Sequence, residues 1–239
     1  MNKNTINEVE AFDINQDFDA RLWRFGQHKV PVLVVDNFYK NPDMVRQLAL
    51  DIPASTNKRI RGGNPAERVN AFYELSGMCW AFDQLSRTYF PEIMEHKPQE
   101  YMQNSFMNAT FMVNVMQSDK LPPLVPHQDN PSGTNLASTI YLNNANECNG
   151  GTSFYEFGGE TCFTDQVQLI NGDIGMDVAG TTKVTKYITD SSHDWKMIGM
   201  VPMQYNRMVL YNQSLLHSAY VKPSMFTDKN YRINQQFFI

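Results

Sequence analysis

The sequence predicts a mainly β chain with N-terminal helices and a double-stranded β-helix, or jelly roll, as its core. Three observations lead there. From about Asn104 onward, short segments rich in β-branched and aromatic residues follow one another: 111–116, 136–143 (LASTIYLN), 152–157 (TSFYEF), 167–170, 197–201, 208–211 and 232–239. They are punctuated by turn residues, Asn149-Gly150-Gly151, Gly158-Gly159 and Asn171-Gly172. Many short strands with Gly/Asn turns indicate a sandwich or barrel rather than βαβ units. Finally, 239 residues suffice for one large β domain or two small ones.

Taken in order, residues 1–20 are polar and acidic and are expected to form a loose lead-in. Val30 to Asp36 (VPVLVVD) is a β-branched run and predicts a buried strand. Asn41 as N-cap and Pro42 at the first helical position start a helix, with Val45, Leu48 and Ala49 at helical spacing and Pro53 past its end. Lys58, Arg59, Arg61 and Arg68 surround Gly62-Gly63-Asn64-Pro65, which reads as a solvated loop, with a substrate-facing lid as the functional alternative. Residues 76–90 predict a second helix with Leu75, Phe82, Leu85 and Tyr89 as its buried stripe. The expected organisation is a mainly helical lead segment, 1–100, packed on a jelly-roll core, 101–239, the two forming one structural domain.

Composition excludes several classes. The hydrophobic fraction of 42% and charged fraction of 19% are those of a globular protein. A net charge of −5 leaves no electrostatic footprint for nucleic acid. No stretch approaches the roughly 18 apolar residues of a membrane span. Met1 to Glu10 lacks a signal-peptide apolar core. Cys79, Cys148 and Cys162 have neither CxxC nor zinc-like spacing, so reduced thiols in the cytoplasm are expected.

The stretch Pro126-His127-Gln128-Asp129-Asn130-Pro131 carries the chemistry. On extended chain, alternate side chains share a face, so His127 and Asp129 can address one ion. On a helix they would diverge by about 200°. The flanking prolines and the β-rich segments on both sides favour extended chain. A His and a carboxylate from one strand, with a second His from far along the chain, make the facial triad that leaves three positions open on Fe(II).

Only five histidines exist: His28, His96, His127, His193 and His217. His28 and His96 lie in polar contexts before the β region and read as surface residues. His193 lies in the hydrophilic run Thr189–Asp194, whereas His217 follows 210–216, where a strand enters a turn. A metal site needs rigid support, which favours His217. On the terminal segment, Arg232 and Asn234 share one face and Ile233 and Phe237 the other. An inward Arg calls for a planar anion, and a carboxylate held by two hydrogen bonds is the natural partner. Its structural alternative is a salt bridge to a surface carboxylate. Tyr141, on one face with Thr139 and Ala137, is either a core tyrosine or a donor to the same anion.

These residues together resemble the 2-oxoglutarate- and Fe(II)-dependent oxygenases, and within them the prolyl-hydroxylase-like branch. The resemblance rests on His127-Gln128-Asp129-Asn130-Pro131, Ser138-Thr139-Ile140-Tyr141-Leu142-Asn143, Gly150-Gly151-Thr152, the distal His217 and the Arg232 strand, covering about residues 105–239. Val35-Asp36-Asn37-Phe38-Tyr39 with its helix also looks like the entry element of uncharacterised bacterial and phage members. The stretches 222–229 and 159–195 are longer than in close prolyl hydroxylases. By resemblance, His127, Asp129 and His217 would bind iron, Arg232 would bind the distal carboxylate of 2-oxoglutarate, and Tyr141 would assist. Dioxygen and 2-oxoglutarate would be co-substrates, and hydroxylation of an unidentified small molecule or protein side chain the outcome. The residues alone leave open a non-catalytic metal-binding jelly roll and a cupin-like metalloenzyme that uses no 2-oxoglutarate.

Overall fold

The computed structural model describes residues 6–55, 66–71, 76–98, 111–116, 124–130, 132–162, 187–227 and 230–239. These fold into four helices, α1 (Glu8–Ala11), α2 (Pro42–Ser55), α3 (Ser76–Tyr89) and α4 (Pro91–Met94), and ten strands. The strands are β1 (Asp19–Phe25), β2 (Val30–Asp36), β3 (Ala66–Ala71), β4 (Phe111–Met116), β5 (Leu136–Tyr141), β6 (Gly151–Phe157), β7 (Trp195–Pro202), β8 (Met208–Asn212), β9 (His217–Tyr220) and β10 (Arg232–Phe238). Seven form one sheet in the order β1-β2-β8-β5-β10-β4-β3, and three form a second in the order β7-β6-β9. Neighbouring strands within both sheets run antiparallel. Among the described residues no helix is long and apolar enough to cross a membrane.

The alternation of a β-strand places β2, β5 and β8 of the large sheet in two cores at once. Leu33 and Val35 of β2, Leu136 and Ile140 of β5, Met208 and Leu210 of β8, and Ile233 and Phe237 of β10 pack with helices α2 and α3. Val32 and Val34, Ala137 and Tyr141, and Val209 and Tyr211 point the other way, where Phe154 and Val201 of the small sheet meet them. This explains why VPVLVVD is a continuous apolar run: a strand covered on both faces has no solvent side. Edge-on aromatic contacts hold the layers together. Phe82 of α3 meets Phe237 at 5.6 Å between ring centroids, and on the opposite side Phe154 meets Tyr211 at 5.2 Å.

Several local expectations change. From residue 6 onward the lead-in is not loose: it carries α1, and Ala11, Phe12 and Ile14 are buried against α2 and α3. Helix α2 runs through Pro53 to Ser55. Proline in the last turn removes a single backbone hydrogen bond, which the end of a helix tolerates better than its middle. Residues 66–71, expected in part as loop, form strand β3, paired in register with β4. The rest of the 58–68 loop, Leu75 and the 167–170 strand lie outside the described residues. The segment before residue 100 contributes three strands as well as its helices, and β1 and β2 extend one side of the sheet that carries β8, β5 and β10. In α3, Phe82 and Leu85 are buried as expected and Tyr89 packs against the same cluster.

The Asn149-Gly150-Gly151 turn depends on both glycines. Gly150 has φ +70°, and a Cβ there would run into the Tyr220 carbonyl; at Gly151 it would strike the Val201 carbonyl. The side-chain-free backbone lets β6 start tightly between β7 and β9.

Candidate active site

His127 is positioned by a β-bridge and not by a full strand. Its N–H donates to the His217 carbonyl at 2.9 Å, and the His217 N–H donates back to the His127 carbonyl at 2.9 Å. The two rings therefore stand side by side, centroids 4.6 Å apart. Asp129 is fixed next: its backbone N–H donates to the Gln213 carbonyl at 2.9 Å. Between them, the Gln128 side-chain amide donates to the Ser214 carbonyl at 2.7 Å. The HxD stretch is thus laced onto the turn that leads into β9. His217, expected where a strand enters a turn, is instead the first residue of β9.

The three side chains converge. His217 Nε2 lies 3.3 Å from Asp129 Oδ2, and His127 Nε2 lies 3.7 Å from Asp129 Oδ1. One ligand atom from each of the three residues falls within 4.8 Å of the others, a spacing that one ion can bridge. The Nδ1–H of His217 donates to the Leu215 carbonyl at 2.8 Å. A ring nitrogen committed in this way fixes the tautomer and leaves Nε2 as the free ligand atom. The mixed His/carboxylate donor set suits Fe(II) or another borderline divalent ion. Burial of His217 works against its charged form. The Asp129 charge and hydrogen bond, with the Leu215 carbonyl, outweigh burial and raise its pKa above the ordinary histidine value.

The remaining histidines stay apart. His28 is exposed, and its ring contacts the Gly159 carbonyl at 3.0 Å. His96 pairs with neighbouring Glu95 on the surface. The His193 side chain is 98% exposed.

Arg232 begins β10 on the same inner face. It is 3% exposed. Among the described residues no carboxylate pairs with it, so the surface salt bridge foreseen as its structural alternative is not found. Its Nη1 donates to Asn234 Oδ1 at 2.6 Å and its Nη2 to the Gly151 carbonyl at 3.4 Å, while Nε is buried without a partner among the described residues. Its guanidinium lies over the Tyr141 ring, 5.5 Å from the centroid. Tyr141 is fully buried, and its hydroxyl shares a hydrogen bond with Thr152 Oγ1 at 2.7 Å.

Two tyrosines join the site that the sequence did not single out. Tyr211 packs edge-on to the His217 ring, centroids 4.8 Å apart. Its hydroxyl pKa is pushed well up, first by burial and then by the Asp129 charge, with the Thr139 hydrogen bond and Arg232 opposing. Tyr187 donates to the Ala219 carbonyl at 3.0 Å and accepts from Ser218 Oγ at 3.0 Å. Burial raises its pKa, and the Arg232 charge pulls the other way. Tyr211 thus touches the His/Asp/His cluster, and both hydroxyls feel the Arg232 charge. For Tyr211 the available signal was its place two residues from Val209 on a strand whose inner face leads to His217.

The model of a family of unknown function, DUF6445, matches residues 16–232. The chain belongs to that family. No curated protein sequence matches this DUF6445 member. Among solved structures it is similar to SnoK, a non-heme alpha-ketoglutarate-dependent carbocyclase from nogalamycin biosynthesis. Identity is 10%, 87% of this chain and 78% of that chain are covered, and the TM-score is 0.50. AviO1 from Streptomyces viridochromogenes Tue57 aligns over 99% of this chain and 96% of its own at 13% identity and TM-score 0.39. An N-substituted L-amino acid dioxygenase from Burkholderia ambifaria AMMD aligns over 92% and 94% at 12% identity and TM-score 0.40. The SnoK likeness establishes a shared fold; the other two are too distant to add to it.

Proposed function

We propose that this DUF6445 member is an Fe(II)- and 2-oxoglutarate-dependent dioxygenase that hydroxylates a small molecule or a protein side chain. The observation that carries the reading is the pairing of two features on one inner face. One is a His/Asp/His cluster of ion-bridging dimensions; the other is a buried arginine with no carboxylate among the described residues. A buried guanidinium without a counter-charge among the described residues is strongly disfavoured, which favours a site that receives an anion.

His127, Asp129 and His217 would hold the iron on one side, leaving the opposite positions for co-substrates. Arg232 would take the distal carboxylate of 2-oxoglutarate, with Tyr141 and its Thr152 partner lining that end. When bound, Fe(II) and 2-oxoglutarate supply an oxidant derived from dioxygen, with succinate and carbon dioxide as by-products. The chain's own contribution is positioning. Leu215 aims His217 Nε2 at the ion, and Phe154, Val209 and Tyr211 keep the neighbouring space apolar.

We read the two sheets as the halves of a double-stranded β-helix, and residues 1–100 and 101–239 as one structural domain. The strands of the first hundred residues extend both ends of the large sheet, which supports that reading. The HxD, YLN, Gly-Gly and distal His/Arg blocks favour the prolyl-hydroxylase-like branch, without its prolyl specificity. The three cysteines are free thiols, in keeping with the cytoplasm.

The test is turnover of 2-oxoglutarate by the Fe(II)-loaded protein. Oxygen-dependent succinate formation, lost in Asp129→Ala, is expected. Wild-type-like turnover in that variant contradicts the assignment.

A further inference from the structure

One buried carboxylate lies beside the His/Asp/His cluster without belonging to it. Phe154 of β6 sits opposite His217 in the ladder, and Glu156 lies two residues further along β6. Tyr155 and Phe157 turn to the other side, where their rings meet Trp195 at 6.4 and 4.9 Å between centroids. Glu156 therefore leaves from the inner face together with Phe154. On that face it is the diagonal neighbour of His217, about 7–8 Å away. Its side chain is 5% exposed. Lys196, directly opposite on β7, donates from Nζ to Glu156 Oε1, yet the lysine side chain is 65% exposed. Glu156 Oε2 is buried with no hydrogen-bond partner among the described residues. Buried polar atoms are almost always satisfied, and a carboxylate only accepts, so this oxygen calls for a donor. The adjoining inner face supplies none: Phe154 flanks the carboxylate, and the Phe25 ring packs on Phe154 at 5.6 Å.

We propose that Glu156 is the substrate-recognising carboxylate of the site, accepting through Oε2 an N–H of a primary amine carried by the substrate. This rests on the dioxygenase reading given above and narrows its substrate to an amine-bearing alkyl chain. Lys196 already shows what the carboxylate takes, since its side chain is an alkylammonium seated on Oε1. An ammonium brings three donors and a positive charge, and a charge-assisted bond to a buried carboxylate is stronger than one from a neutral hydroxyl. The alkyl part of such a substrate suits the aromatic surface of Phe154 and Phe25. Because Lys196 reaches in from solvent, its hold on Glu156 is weak and readily shared or displaced.

The test reads binding, with Mn(II) in place of Fe(II) as a paramagnetic ion for the same donor set. Protein loaded with Mn(II) and 2-oxoglutarate is titrated with pentylamine and, separately, with pentanol, which has the same chain and no charge. Metal-enhanced relaxation of the probe's protons reports binding close to the ion. Pentylammonium is expected to give a saturable enhancement at least about tenfold tighter than pentanol. Glu156→Gln weakens pentylammonium about 10- to 100-fold and leaves Mn(II) and 2-oxoglutarate affinity within about twofold. Lys196→Gln removes the competing ammonium and tightens pentylammonium about two- to fivefold. A purely structural ion pair would not give opposite signs for its two partners. N-acetyl-lysine methylamide separates the two sources of such an amine: tighter binding than pentylamine assigns a lysine side chain of a protein, weaker binding a free amine. Equal affinity for pentylammonium and pentanol overturns the inference, as does wild-type-like amine affinity in folded Glu156→Gln. If Glu156→Gln fails to fold, the sign of the Lys196→Gln effect decides. A wild type that binds Mn(II) and 2-oxoglutarate but not the amine sinks this inference alone. One that binds neither sinks the parent reading, and this inference with it.

Discussion

His217 Nε2 lies 3.3 Å from Asp129 Oδ2, although His217 opens strand β9 and Asp129 sits in irregular chain beyond the His127 bridge. The contact is made by backbone and not by the side chains themselves. The reciprocal His127–His217 bridge and the Asp129 N–H to Gln213 carbonyl bond set it before any ion arrives. A metal-free site held by main-chain bonds is preorganised, which is what tight and geometrically selective ion binding requires.

Asp129→Ala is therefore expected to remove function without removing the fold. The Asp129 side chain is 17% exposed, and the bond that places the residue comes from its backbone. Above the pH at which His217 titrates, the melting temperature of the metal-free variant should stay close to wild type, while Fe(II) affinity falls by at least about tenfold. Calorimetric titration with Fe(II), alongside a thermal melt, reads both.

The pH dependence follows from the raised pKa of His217, whose burial is outweighed by Asp129 and the Leu215 carbonyl. Iron needs the neutral ring, so bound metal competes with that proton. Metal affinity should fall as pH drops, through a midpoint above the ordinary histidine value. Stability of the metal-free protein runs the opposite way. The His217 contribution is fully present below the pKa of the unfolded chain, wherever Asp129 stays ionised, and is lost as pH rises through the folded pKa. Melts of metal-free and metal-loaded protein across neutral pH should diverge with increasing pH, and parallel curves would contradict the assignment.

Much of this was legible in residue order. His127 and Asp129 at alternate positions between prolines already favoured extended chain, and the strands β2, β5, β6, β8 and β10 stand where their β-branched and aromatic segments placed them. What escaped reading has physical reasons. Strand β9, HSAY, has no β-branched residue and is only four residues long, so its propensity was silent and His217 looked like a turn residue. Strand β1, DARLWRF, carries three charges in seven positions, and half-exposed edge strands read as loop. Helix α1 is one turn, shorter than any periodicity can reveal. Tyr211 and Tyr187 gain their places from register and a bridge far along the chain, which no local pattern encodes.

Arg232→Ala should separate co-substrate binding from metal binding. With no carboxylate partner among the described residues, its removal leaves no stranded opposite charge. Affinity for 2-oxoglutarate is expected to drop by about 30-fold or more, from the loss of a buried charge-assisted contact. Fe(II) affinity should change little. Titrations of ion and co-substrate in turn distinguish this from a general loss of structure.

Phe82→Ala probes the opposite layer. Phe82 is fully buried, in contact with Phe38 and Phe237 at 5.6 Å each. Its truncation should destabilise the fold by about 3–5 kcal/mol. Because the large sheet lies between Phe82 and the ion site, Fe(II) affinity measured well below the melting temperature should be retained. Denaturant unfolding gives the first quantity and titration in the cold the second.

The central claim, that one site holds iron and 2-oxoglutarate together, is met most directly by an anaerobic titration followed in the visible range. Adding 2-oxoglutarate to the Fe(II)-loaded protein should produce a charge-transfer absorption that neither component gives with the protein alone, and Arg232→Ala should shift it to much higher co-substrate concentration. A wild-type protein that binds Fe(II) but develops no such absorption at saturating 2-oxoglutarate would contradict the account.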